Sequence, residues 1–206
     1  FCAVLPRIFR TEDEAVLREM LVRHRQVLAA VAVGNLGHLP IAEGLELPLR
    51  GDLGMNVFNS RALLFLRELG LSTAAVSFEL RHQQIRDLKK YLPCEAVVYG
   101  RLPLMLTRNC PNRNGAGCSG CGEVSSLKDR KGVSFPMICD HICTQILNSV
   151  PLEMEDRKSD FSGMDFTVLR FTVENSVESE EKFHAFHSGQ APKDGFTRGL
   201  YYRGVD

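Results

Sequence analysis

The sequence predicts an α/β chain: an incomplete (β/α) TIM-barrel-type domain carrying a cysteine-rich loop and hairpin insertion. Three observations predict it. Short apolar runs alternate repeatedly with amphipathic stretches over the first hundred residues, as right-handed parallel crossovers require. No early run is followed by Gly-x-Gly-x-x-Gly or by Gly-x4-Gly-Lys-Ser/Thr, which removes support from a nucleotide-binding doubly wound sheet. The regular pattern then breaks, and residues 106–145 are rich in Gly, Pro, Asn, Ser and Cys.

Taken in order, Ala3 to Ile8 reads as a strand, and Thr11-Glu12-Asp13-Glu14 as a capping box opening a helix to about Arg25. Val27 to Val33 is apolar on both parities, the mark of a strand buried on both faces. A short helix is expected around Pro40 to Gly44, and a strand over Leu49 to Met55. Asn59 or Ser60 caps a helix whose apolar stripe is Leu63, Leu66 and the nearby Leu69, and which Gly70 ends. Ala74 to Phe78 reads as a strand, Arg81 to Lys90 as a helix and Glu95 to Tyr99 as the fifth strand. Leu127 to Gly132 and Val133 to Ile138 form a hairpin, continued by Ile146-Leu147. Helical charge mixtures follow near 152–160, then a strand over Phe166 to Val173 and a helix from a Ser176 cap to about His187. The tail from Gly195 to Gly204 is rich in Gly and aromatics and is expected to dock as an irregular segment.

These readings divide the 206 residues into a partial barrel over 1–105, a metal-binding insertion over 106–151, and a last strand and helix with the docked tail over 152–206. Lys plus Arg equals Asp plus Glu at 25 each, so net charge points to no acidic or basic partner. No apolar run approaches the roughly 20 residues of a membrane helix. No secretory leader is visible, and the chain starts at Phe1, which suggests a piece of a longer protein. Seven cysteines is an odd number, five of them between 110 and 143; a reducing, cytoplasmic setting suits them better than a disulfide framework. Cys2 and Cys94, beside apolar stretches, read as small core residues.

The clustered cysteines are spaced Cys110-x7-Cys118-x2-Cys121-x17-Cys139-x3-Cys143. A Cys-x2-Cys turn points two thiolates at one ion, and two pairs about 15 to 20 residues apart are the zinc-ribbon arrangement. Four thiolates hold an iron–sulfur cluster equally well, so spacing leaves both open. Between Arg101 and Lys131 six cations face two anions, an excess able to steer RNA or another anion toward the cluster, or merely to offset thiolate charge.

In a barrel the functional face lies at the carboxyl ends of the strands. His38, Asn56, Glu79 and Arg101 follow the expected strands two to five. There His38 and Glu79 would exchange protons, Asn56 orient a substrate and Arg101 hold an anion. His-Glu-x-x-His and Gly-x-Ser-x-Gly are absent. His184 and His187, spaced i, i+3, read as an ordinary surface pair.

Seven segments in order carry a resemblance: LPRIF, VGNLGHLPIAEGLELPLRGDLGMNVFNSRAL, LGLSTAAVSFELRHQQI, CEAVVYGRLPLMLTRNC, LKDRKGVSFP, CTQILNSVPL and FTRGLYYRGVD. Together they resemble the collagenase-like peptidase family of unclassified catalytic type, the U-thirty-two family. The resemblance implies a barrel-type catalytic domain of which this chain is similar to a carboxyl-terminal portion, a missing amino-terminal barrel segment being expected in the full-length protein. It also implies a 4Fe–4S cluster on the matching Cys110, Cys118, Cys121 and Cys143, with Cys139 as spare; one departure is Pro103, where the family's better-known signature has a further cysteine. The family's name implies a protease acting on collagen-like or other peptides, whereas other branches imply oxygen-independent hydroxylation of RNA or of a quinone precursor. The expectation adopted is an iron–sulfur enzyme hydroxylating RNA. A peptide-cleaving enzyme and an RNA-binding module with structural zinc stand as the alternatives.

Overall fold

A computed structural model describes residues 1–111, 125–140, 142–193 and 195–203. The chain divides into two compact units: residues 1–96, 160–167 and 199–206, and residues 97–159 and 168–198.

In the first unit, strands β1 (Cys2–Val4), β2 (Ala30–Val33), β3 (Leu49–Gly51), β4 (Leu71–Ala75) and the start of β5 (Cys94–Gly100) pair in sequence order, all parallel. The sheet curls into a half-barrel, so the chain has the fold of an incomplete TIM-barrel-type domain. Helices α1 (Glu14–Arg23), α2 (His38–Ala42), α3 (Ser60–Glu68) and α4 (His82–Asp87) fill the crossovers. Leu21 of α1, Leu63 and Leu66 of α3 and Ile85 of α4 are buried, which is the apolar stripe that fixes each helix. The Asn59 side chain caps α3, its Oδ1 accepting the Ala62 N–H at 3.0 Å. All four residues of β2 are buried, as double-sided cover demands.

β1, β3 and β4 end earlier than the sequence suggests, whereas β2 ends at Val33 as expected and β5 runs on to Gly100. After β3 the chain turns through Leu53–Met55 instead of continuing the strand. It then makes an isolated parallel bridge between Val57 and Val76. Gly54 explains the turn: a Cβ there would lie 2.2 Å from Gly34 O, so the loops after β2 and β3 touch backbone to backbone.

In the second unit, β6 (Pro103–Thr107), β7 (Ser125–Lys128), β8 (Ser134–Asp140) and β9 (Cys143–Leu147) form an antiparallel sheet ordered β6-β9-β8-β7. The expected hairpin is β7–β8. Its turn is held by Asp129, whose Oδ1 accepts the Lys131 and Val133 N–H groups at 2.8 and 2.9 Å. β10 (Leu152–Glu153) runs antiparallel to Tyr99 and Gly100 of β5, where the charge pattern suggested helix; only a 3-10 stretch over Glu155–Phe161 follows it. β11 (Phe166–Arg170) precedes α5 (Ser176–Ser188). The cap of α5 is Asn175, not Ser176: Asn175 Oδ1 accepts the Glu178 N–H at 3.0 Å, and Glu178 returns the bond to the Asn175 N–H at 2.9 Å.

Candidate functional site

Three of the four expected strand-end residues lie in the first unit, and each has a definite local setting. His38 opens α2 and is fully buried. The Gly34 N–H donates to its Nδ1 at 3.0 Å, which leaves the ring proton on Nε2, 3.0 Å from Pro6 O. Beside it the Asn35 amide donates to Arg7 O at 3.0 Å. The imidazole thus ties the loop after β2 to the loop after β1. His38→Ala is expected to lower stability by about 2 kcal/mol, since it strands the buried Gly34 N–H and the half-buried Pro6 carbonyl. Urea denaturation checks this as a lower midpoint at unchanged slope.

Asn56 is exposed and left-handed, at φ 52°, a conformation Asn tolerates in turns. Glu79 is half-buried, and its N–H donates to Ser77 Oγ at 3.3 Å. Arg101 belongs to the second unit, where its guanidinium donates to Asn148 O at 3.1 Å and to Ser149 O. It clamps the turn after β9 through backbone carbonyls.

Sequence reasoning missed a polar row inside the half-barrel. The register puts Cys2, Ala30, Ala32, Arg50, Thr73, Ala75 and Glu95 on one face of the sheet. Arg50 Nε donates to Glu95 Oε1 at 2.9 Å, its second nitrogen to Oε2, and Thr73 Oγ1 to Oε1. The Glu95 side chain is only 5% exposed. Its hydrogen bond to Arg50 is the main reason the guanidinium pKa stands above its ordinary value. The signal was present in the sequence, because Arg50 and Glu95 each interrupt a short apolar run.

The cysteines belong to the second unit. Cys118 and Cys121 lie outside the described residues. Cys110 is half-buried, three residues beyond the end of β6; Cys143, opening β9, is buried; Cys139 on β8 is exposed. Thr107 pairs with Thr144 and Asp140 with Cys143. The carboxyl end of β6, the amino end of β9 and the carboxyl end of β8 therefore coincide. Ser125, the first residue of β7, pairs with Met137 and faces the same end. Directly opposed residues share a face and faces alternate along a strand. Cys139 opposes Thr144 and Cys143 opposes Asp140, so Cys139 and Cys143 project to opposite faces. The described residues alone contain no group of three metal-ligating side chains.

Arg108 stands at the cysteine end, whereas the exposed Lys128, Arg130 and Lys131 occupy the hairpin's other end. Cys94 is walled in, and burial pushes its thiol up to about 11, which suits a packing residue rather than a nucleophile. No helix among the described residues is long and apolar enough to cross a membrane.

The model of Peptidase family U32 matches residues 3–115 of the chain. No curated protein and no solved structure matches it.

Proposed function

The chain belongs to peptidase family U32, and from that membership and the placement of the thiols we propose that it is an iron–sulfur enzyme of oxygen-independent RNA hydroxylation. Cys110, Cys118, Cys121 and Cys143 would hold a 4Fe–4S cluster. The observation that carries this reading is the register. It puts Cys143 at the end of the antiparallel sheet where β6 finishes at Thr107, three residues before Cys110, and the chain that follows the Cys118–Cys121 segment enters β7 at Ser125, opposite Met137, from the same direction. All-thiolate donors suit iron–sulfur or zinc. The family resemblance supports iron.

A bound cluster supplies one-electron transfer. The chain's own residues do the rest. Burial of Cys143 keeps water from that ligand position. Its location on a strand, rather than in a loop, fixes its direction. Lys128, Arg130 and Lys131 offer three exposed cations at a turn whose carboxylate, Asp129, is already engaged by backbone N–H groups. Such a tip suits a nucleic-acid phosphate backbone.

Mass spectrometry of nucleosides from a strain lacking the protein tests the reading. A hydroxylated nucleoside is expected to vanish from its RNA, to return with the wild-type chain and to stay absent with Cys143→Ser. An unchanged nucleoside profile would overturn it.

A further inference from the structure

The second unit contains a cavity of about 810 Å³ beside α5 that the cluster reading does not use. Its lining includes Glu155, Glu181, Lys182, His184, His187 and Lys193. Glu155 is the unusual member. It is 1% exposed, and its Oε2 has no hydrogen-bond partner among the described residues. Buried polar atoms are nearly always paired, so such an orphan calls for an explanation.

The neighbouring charges show what is missing. Lys182 Nζ sits 2.5 Å from Glu153 Oε1 but 3.8 Å from Glu155 Oε1. Two buried carboxylates, Glu153 and Glu155, therefore share one ammonium that is committed to the first. Arg198 is held by Asp156 and by the Glu153 carbonyl. Burial raises the Glu155 carboxyl above its ordinary range. Also in the lining, on α5, His187 Nδ1 is 2.8 Å from Phe183 O, so in the neutral ring Nδ1 carries the proton and Nε2 is an acceptor. Glu181 adds a further acceptor. Among the described residues no three ligands come together for a metal ion. Of the two lysines in the lining, Lys182 is committed to Glu153, while Glu155 and Glu181 both bring carboxylates.

We propose that this cavity binds a small organic cation, a primary amine or guanidinium compound, whose N–H groups donate to Glu155 Oε2 and supply the positive charge that the Glu153–Glu155 pair lacks. The cavity has the size of a small-metabolite site, and the recognition is a charge-assisted hydrogen bond to a buried carboxylate. The inference is independent of the cluster.

Isothermal titration of the full chain with putrescine and with agmatine, and with succinate as the anionic control, tests it. At least one amine is expected to bind, and succinate is not. Glu155→Gln keeps the side-chain shape and removes the charge; it is expected to weaken amine binding about tenfold or more. Ala185→Leu narrows the cavity while leaving Glu155 intact, and is expected to weaken binding as well. Circular dichroism melts confirm that each variant is folded, and whichever folds carries the test. Binding of neither amine, tighter binding of succinate, or amine binding unchanged in the folded variants would overturn the proposal.

Discussion

Arg50→Ala is expected to destabilise the chain by about 3 kcal/mol, well above the cost of losing a surface ion pair. The reason lies in Glu95 rather than in Arg50. The arginine side chain is 38% exposed, the glutamate 5%. Removing the guanidinium leaves a buried carboxylate with Thr73 as its one remaining described side-chain donor. A buried charge without its partner costs more than the pair ever contributed. The double variant Arg50→Met, Glu95→Leu is therefore expected to lie within about 1 kcal/mol of the parent, because apolar side chains of similar volume carry no desolvation debt. Chemical denaturation of Arg50→Met, Glu95→Leu and the double variant completes a cycle that isolates the coupling. A loss below about 1 kcal/mol for Arg50→Ala would mean that water reaches Glu95.

The half-barrel was legible because its signals are local. Apolar runs a few residues long, helices with Leu63 and Leu66 on one stripe, and Asn59 before α3 each act over a handful of positions. What was not legible depends on distant partners. β9 lies between β6 and β8, and no spacing rule announces that Pro103–Thr107 will pair with a strand some forty residues later. The Arg50–Glu95 pair spans 45 residues. Leu152–Glu153 looked helical from its charge mixture, yet pairing with Tyr99 and Gly100 makes it a strand; tertiary pairing overrides local propensity. The same holds at the β5 end. Gly100 adopts φ 133°, and a Cβ there would meet Arg170 O at 2.3 Å.

The candidate site divides in the same way. Cysteine spacing raises the expectation of a metal centre and the family resemblance sets Cys139 aside; the register adds that Cys139 and Cys143 project to opposite faces. His38 illustrates the reverse. A histidine after a strand reads as a proton carrier, whereas here its ring nitrogens bridge two loops through Gly34 and Pro6.

The second large effect follows from the cysteines. Cys143→Ser is expected to abolish cluster binding, because an alcohol is a poor substitute for a thiolate ligand and Cys139 projects from the other face. The decisive measurement is iron and acid-labile sulfide content, with the visible absorption spectrum, of anaerobically purified wild-type, Cys143→Ser and Cys139→Ser protein. The wild type and Cys139→Ser are expected to be brown, with about four iron and four sulfide per chain, and Cys143→Ser colourless and nearly iron-free. A colourless wild type containing only zinc, or a cluster retained by Cys143→Ser and lost by Cys139→Ser, would contradict the assignment.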